Sequence, residues 1–232
     1  MSKIYLVRHG QASFLSDDYD NLSPIGRKQA ALLGDYWGKR GKVFHKLFVG
    51  PLRRHQQTFM SFAKGYEQHG NRLPTPVVND DFIEHKGFEL AQAVTPRLIK
   101  TDPFVAEHYR EGMDRRVYLK IFRHIMLKWA TGEVSHPEFE SWQQFRTGAN
   151  RGMAAVMTAT ERGQDAIVFT SGGTMGASVG YALELNDVQA IKLNWVIRNT
   201  AYAEFQFRSN DLSLTEFNAI PHIEGGELLT YV

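Results

Sequence analysis

Arg8 and His9, followed by Gly10, are the first residues in the chain with a clear capacity for chemistry. They end an apolar, β-rich run, Lys3–Val7, and open α/β sheets bind their ligands at such strand ends. A guanidinium presents a rigid fork of donors that matches phosphate oxygens, and a histidine ring nitrogen can act as a nucleophile. Glycine lets the backbone turn and approach a bound group. The triplet therefore predicts a nucleophilic, anion-binding site.

At two later junctions in the chain, an apolar run is again followed by residues suited to binding an anion. The short apolar run Lys46–Val49 precedes Arg53 and Arg54 at the start of a predicted helix, and Ala166–Phe169 precedes a glycine-rich turn, Thr170–Thr174. Helix N-termini and such turns favour anions. The first strand lacks the G-x-G-x-x-G turn, so a dinucleotide fingerprint is not indicated. These junctions add two candidate phosphate contacts to the first, although an exposed arginine pair is the simpler interpretation of Arg53 and Arg54 alone.

Glu84 is the candidate acid–base residue, because it follows two apolar residues and precedes a glycine at an apparent strand end or turn. A carboxylate there can donate or accept a proton, although spacing does not distinguish it from a surface acid. Gln11 and Ser13, in the loop after the nucleophile, are possible substrate contacts, and so is His85. His55 also adjoins a motif, but such neighbouring histidines are more often structural or solvated.

Composition narrows the class of protein. The 232 residues fit one domain or one domain with an insertion, and 43% hydrophobic with 22% charged residues is ordinary globular usage. A net charge of +2 gives no electrostatic argument for nucleic acid. The absence of cysteine excludes disulfides, thiolate metal sites and a cysteine nucleophile. With no membrane-length apolar run and no signal-peptide pattern, we expect a cytoplasmic protein.

The elements that must position these residues alternate between strands and helices. Ser23 and Pro24 predict the cap and first residue of a helix that runs to about Trp37. Apolar periodicity predicts further helices over Glu89–Leu98, Pro103–Glu111, Arg116–Trp129, Pro137–Met157 and about Met175–Leu185. Two last strands are predicted near Val188–Trp195 and Thr200–Phe207, and the tail contains Asn218, Pro221 and His222 before it loses its pattern.

Taken in order, these motifs resemble the histidine phosphatase superfamily, the phosphoglycerate-mutase-like proteins. The resemblance covers most of the chain. It rests on the nucleophile motif Leu6–Gln11, the helix start Leu22–Ala30, the arginine motif Pro51–Thr58, the acid–base motif Phe82–Gly87, and the looser C-terminal residues Asn199, Thr200 and His222. The arginine motif assigns the functional guanidinium to Arg54 rather than Arg53.

The resemblance implies a three-layer α/β/α sandwich with a mostly parallel central sheet. It also implies a single domain over residues 1–232. The helical patterns at about 90–150 predict an insertion that covers the active-site end as a lid, although amphipathic helices with buried aromatic and solvated charged side chains are the simpler interpretation of most residues there. That insertion is rich in arginine, histidine and aromatic residues, and we expect it to carry substrate specificity.

The implied reaction is a two-step phosphoryl transfer. His9 attacks phosphorus to form a phosphohistidine, Arg8 and Arg54 hold the phosphoryl oxygens, and Glu84 protonates the leaving oxygen and later activates water. Neither a metal nor a cofactor is implied. The partner is a phosphorylated small molecule or phosphoprotein, with no nucleic acid and no membrane, and the oligomeric state is open.

Ser171 departs from the family pattern, because a second histidine usually stands there. Ser171 and Gly172 are the phosphate contacts predicted at this turn, but a hydroxyl cannot carry positive charge. Losing one donor from a transition-state cradle can cost on the order of 10²–10³ in rate, unless another group such as His85 compensates. Three interpretations stay open: a phosphohydrolase of full or reduced activity, an inactive member that binds a phosphorylated ligand or protein, and, with least support, a mutase.

Overall fold

A computed structural model describes residues 1–12, 20–209 and 211–231. Its strands are β1 (Ser2–Arg8), β2 (Lys46–Val49), β3 (Val77–Val78), β4 (Asp165–Thr170), β5 (Tyr202–Arg208) and β6 (Asp211–Ala219). Its helices are α1 (Pro24–Lys39), α2 (Arg53–Glu67), α3 (Gly87–Thr101), α4 (Pro103–His108), α5 (Arg115–Ala130), α6 (Trp142–Ala159), α7 (Gly172–Ala182) and α8 (Asp187–Leu193). Short 3₁₀ turns lie at Asp80–Phe82 and Gly226–Leu228.

The described strands form one six-stranded sheet in the order β3-β2-β4-β1-β5-β6. The pairs from β3 to β1 are parallel, whereas β5 is antiparallel to β1 and to β6. The predicted mostly parallel sheet is therefore confirmed, with an antiparallel edge. Because β1, β2 and β4 run in the same direction, their carboxyl ends lie at one edge of the sheet, where such folds bind ligands.

The sheet is covered on both faces, which makes the predicted three-layer sandwich. Along β1 the side chains alternate, so that Ile4 and Leu6 join a core with α6 and α7, while Tyr5 and Val7 join a core with α1 and α2. All four side chains are buried. The predicted cap of α1 is also present, since the Ser23 hydroxyl accepts a hydrogen bond from the Gly26 amide at 3.0 Å.

A third apolar core lies within the helices between β3 and β4. Residues of α3, α5 and α6 form it, and they continue onto α7 and α8 through Ala177, Ala190 and Ile191. The region predicted as a helical insertion is therefore helical and packs on α7 and α8; its role as a lid remains a prediction. No helix of the described residues is both long and apolar enough to cross a membrane.

One prediction near the C-terminus was wrong, and one strand there was not predicted. The segment predicted as a strand near Val188–Trp195 contains α8 instead, because the Asn186 side chain and Gln189 form a reciprocal capping box at the helix start. No strand was predicted at β6, which pairs with β5 at the sheet edge and has Leu212 as its one buried residue. An edge strand of this kind lacks the apolar signal of a central one.

Candidate active site

One cavity of about 550 Å³ opens at the carboxyl ends of the parallel strands and contains most of the predicted site residues. Those that line it are Arg8, His9, Arg54, Glu84, His85 and Gly172. They come from the ends of β1 and β4, the start of α2 and the turn before α3. The parallel sheet thus brings together residues that are separated by up to 164 positions in the sequence.

His9 is fixed as a neutral imidazole. Its Nδ1 lies 2.7 Å from the Gly10 carbonyl oxygen, a geometry in which Nδ1–H donates and Nε2 keeps its lone pair. The ring is 3% exposed. Burial, and then the charges of Arg54 and Arg8, hold the pKa of His9 well below its usual range. A neutral ring with a free Nε2 is the form that can attack phosphorus.

The backbone of His9 is held by the segment that leads into β5. The Asn199 side-chain amide and the Thr200 backbone amide both donate to the His9 carbonyl oxygen, at 3.2 and 3.3 Å. Thr200 has φ of 56°, a left-handed conformation that is costly for a β-branched residue. Its hydroxyl lies 2.9 Å from His222 Nε2. The C-terminal residues identified by resemblance therefore support the backbone of His9 from behind.

Arg8 and Arg54 have separate supports. The Arg8 Nη1 donates to the Ile197 carbonyl oxygen at 2.5 Å. The Arg54 Nη1 pairs with Asp20 at 2.9 Å, and the same carboxylate accepts from the Arg53 and Arg54 backbone amides at 2.8 and 3.3 Å. Asp20 thus caps α2 and orients Arg54, which is 5% exposed. Asp20 lies in the loop after the nucleophile motif, and no local pattern in the sequence connects it to Arg54.

Glu84 lies against the N-terminus of α7. Its Oε2 accepts from the Gly173 amide at 3.1 Å, and its Oε1 accepts from the His85 amide at 3.0 Å. A Cβ on Gly173 would lie 2.0 Å from Glu84 Oε1, so only glycine permits this approach. The anion-binding turn predicted for phosphate therefore already holds a carboxylate at Gly173, while Gly172 faces the cavity.

Ser171 and His55 form a fully buried pair behind the cavity wall. The Ser171 Oγ lies 2.6 Å from His55 Nε2, and neither side chain is exposed. The His55 ring centroid is 5.9 Å from that of His9. Burial and the charge of Arg54 keep the pKa of His55 well below its usual range, so this ring is also neutral. From the sequence, we expected His55 to be structural or solvated. No local pattern predicts its contact with Ser171.

Three residues were predicted as possible substrate contacts, and of the two that the structure describes only His85 is found in the cavity lining. His85 lines the cavity and packs against Trp129 and Phe145 at ring-centroid distances of 5.3 and 5.2 Å. Gln11 instead accepts a 2.7 Å hydrogen bond from the Ser23 hydroxyl, so its side chain secures the start of α1. Ser13 lies outside the described residues. Within those residues, no group of three or more histidine, aspartate or glutamate side chains is arranged to hold a metal ion.

Residues 4–86 match the model of the histidine phosphatase superfamily (branch 1). This part of the chain is therefore similar to that superfamily. The matched segment contains Arg8, His9, Arg54 and Glu84. None of the curated protein sequences compared with the chain matches it significantly.

Several solved structures share the fold along nearly the whole chain. A mutant phosphoserine phosphatase from Entamoeba histolytica, solved with phosphoserine, is 19% identical, with a TM-score of 0.59 and coverage of 96% of this chain and 100% of that one. A mycobacterial glucosyl-3-phosphoglycerate phosphatase is 19% identical, with a TM-score of 0.61 and coverage of 94% and 98%. Bacillus stearothermophilus YhfR is 15% identical, with a TM-score of 0.67 and coverage of 97% and 100%.

Proposed function

We propose that this protein is a metal-independent phosphohydrolase that acts on a small phosphomonoester through a phosphohistidine at His9. The observation that carries this proposal is the shared cavity: a neutral, oriented His9 faces the same space as the Arg8 and Arg54 guanidiniums and the Glu84 carboxylate. The phosphatases named above support the reaction class. We also propose a cytoplasmic location, which the lack of cysteine permits.

In the first step, His9 Nε2 attacks phosphorus and an N–P bond forms as the P–O bond to the leaving group breaks. Glu84 in its protonated form gives its proton to the leaving oxygen. Arg8 and Arg54 neutralise charge on the other phosphoryl oxygens, since such reactions depend mainly on positioning and electrostatics.

In the second step, the Glu84 carboxylate accepts a proton from water as the water oxygen attacks phosphorus. The N–P bond breaks, neutral His9 is restored with its electron pair, and inorganic phosphate leaves. Glu84 is protonated again, so the cycle closes without a metal or cofactor.

We further propose that His55 and Ser171 act together as positioning residues in place of the expected second histidine. Their hydrogen bond joins the first turn of α2, which carries Arg54, to the N-terminal end of α7, which holds Glu84 through Gly173. The His55 ring also packs beside His9. The pair supplies position rather than charge, since His55 is held neutral.

A second candidate function is binding of a phosphorylated ligand or protein without turnover. The observation that favours it is the uncharged pair at Ser171, where the resemblance implies a charged donor. In this case the cavity would retain phosphate affinity while the chemical step would fail.

Release of inorganic phosphate from a panel of phosphomonoesters tests the first proposal, with His9→Ala as the control. We expect the variant to lose about 10⁴-fold or more in kcat, the scale of losing a nucleophile. Wild-type enzyme that is quenched in alkali during turnover should carry phosphate on His9, because N–P bonds survive alkali.

Equal release by both proteins would overturn the enzymatic proposal. Tight phosphomonoester binding with no release above the His9→Ala level would establish the binding function instead. A phosphoenzyme that transfers its group to a second alcohol faster than to water would identify a mutase.

A further inference from the structure

Beyond its phosphoryl end, the active-site cavity has a wall of apolar side chains. Tyr118, Phe122 and Met126 line it from successive turns of α5, at the four-residue spacing that places side chains on one helix face. Phe88 of α3 stacks on Phe122 with ring centroids 4.4 Å apart, and Tyr118 lies parallel to Phe122 at 6.5 Å. We call Phe88, Tyr118, Phe122 and Met126 the apolar wall.

Apolar residues from α8 and the segment after it also line this end. Ile191 and Trp195 line the cavity with the apolar wall, and the Arg123 guanidinium lies 5.4 Å from the Trp195 ring centroid. This distance is within the range of a cation–π contact, so the Arg123 guanidinium packs against the Trp195 ring. The other charged groups near the wall, Lys86 and Glu89, have exposed side chains. Water screens such exposed charges, so they hold a charged substrate weakly.

On the basis of the proposed function, we propose that the substrate is a phosphomonoester whose leaving group carries a bulky apolar group of about the size of an aromatic ring. The phosphoryl group lies at Arg8, His9 and Arg54, and the apolar group lies on the apolar wall. The 550 Å³ cavity is within the range of sites that take drug-sized ligands. A small zwitterionic ester such as phosphoserine leaves the wall in contact with water and must rely on the exposed charges of Lys86, Glu89 and Arg123.

Three esters of primary alcohols test this substrate class without a large change in leaving-group chemistry: 3-phenylpropyl phosphate, n-propyl phosphate and phosphoserine. We expect kcat/KM for the phenylpropyl ester to exceed that for the propyl ester by at least about tenfold, because the added ring is transferred from water to the wall. We expect kcat/KM for phosphoserine to be lower than that for 3-phenylpropyl phosphate.

A matched pair of tyrosine variants assigns this preference to the wall. Tyr118, which is 36% exposed, lines the cavity, whereas Tyr181 on α7 is 45% exposed and does not. We expect Tyr118→Ala to reduce the preference for the phenylpropyl over the propyl ester several-fold. Tyr181→Ala should leave both that preference and the turnover of propyl phosphate unchanged.

Calorimetric binding of 3-phenylpropylphosphonate and n-propylphosphonate separates this inference from the proposed function. Tighter binding of the phenylpropyl compound, with no phosphate release above the His9→Ala level, would support the apolar wall and reject the phosphohydrolase. Turnover that depends on His9 but shows equal kcat/KM for the propyl and phenylpropyl esters, or a preference for phosphoserine, would overturn the substrate class. Equal affinity for the two phosphonates would also overturn it.

Discussion

The two ends of the active-site cavity differ in how the chain builds them. At the phosphoryl end, Arg8, His9 and Arg54 are buried polar groups held by backbone and carboxylate hydrogen bonds at the edge of a parallel sheet. At the other end, α3, α5 and α8 contribute a surface of mainly apolar side chains. Residues 4–86, which match the family model, include Arg8, His9 and Arg54. The match ends before α3, α5 and α8.

This difference assigns the two properties of the proposed enzyme to different parts of the chain. Strand ends set the positions of the reacting groups, and the helices after residue 86 set the surface for the leaving group. A substitution at the phosphoryl end should therefore lower turnover of propyl and phenylpropyl esters by the same factor, whereas one on the apolar wall should change their ratio.

The largest effect after loss of the nucleophile is expected at Glu84. Glu84→Gln removes the proposed proton donor, and we expect kcat for alkyl phosphates to fall by about 10²–10⁴-fold. An ester with an acidic leaving group, such as p-nitrophenyl phosphate, needs no proton in the first step and should lose less in a single-turnover measurement. An equal loss for both types of ester would contradict the general-acid role.

The exchange of His55 and Ser171 tests whether the pair positions the phosphoryl end. We expect His55→Ser to lower kcat by about 10- to 100-fold with little change in KM, since the hydrogen bond that joins α2 to α7 and so positions Arg54 and Glu84 is lost. The double variant His55→Ser/Ser171→His restores one histidine and one serine in contact. It should recover much of the lost kcat.

Circular dichroism spectra and thermal midpoints of the single and double variants control for misfolding in that exchange. A His55→Ser variant with wild-type kcat would contradict the positioning role. So would a folded double variant that is no more active than His55→Ser.

A substitution at Gly173, also at the phosphoryl end, should have a smaller effect on kcat. Gly173→Ala places a Cβ where Glu84 Oε1 now lies, at 2.0 Å, so the carboxylate must leave its hydrogen bond with the Gly173 amide. We expect a loss in kcat of about tenfold, the scale of a displaced catalytic group. Gly148→Ala on α6 is the matched control, because its nearest neighbour would be 3.9 Å away, and it should retain full activity.

Acid should weaken the fold through the buried histidines. The pKa values of His9 and His55 lie well below the usual value, and burial lowers that of His222 to about 3. Above pH 6.5 or so these rings are neutral in both folded and unfolded chains; below it the unfolded chain takes up protons that the folded one does not. The free energy of unfolding should therefore fall as pH drops from about 6.5.

The slope of that fall is at most about 1.4 kcal/mol per pH unit for each such histidine. Urea unfolding at a series of pH values measures it. His222 lies behind the site, and the variant His222→Asn should reduce this slope by at most about 1.4 kcal/mol per pH unit. An unchanged slope in that variant would show that His222 does not contribute.

The sequence by itself indicated the parallel strands, most helices and the residues of the phosphoryl end. Local patterns pointed to Arg8 and His9 because they end an apolar run and parallel strand ends meet at one edge, whereas Arg54 and Glu84 were assigned through the resemblance to the superfamily. The motif also distinguished Arg54 from Arg53, and Arg54 is indeed the buried member of the pair. The capping box of Asn186 and Gln189 was a local signal that could have corrected the prediction for α8.

Only the tertiary structure revealed the contacts between distant segments. The His55–Ser171 hydrogen bond spans 116 positions and the Arg54–Asp20 pair spans 34, and no spacing rule connects such residues. The apolar wall also needed the fold, because an amphipathic stripe on α5 predicts burial equally well against a core or around a cavity. The sequence thus determined which groups could carry out the reaction, whereas packing between elements decided what supports His9 and what surface the leaving group meets.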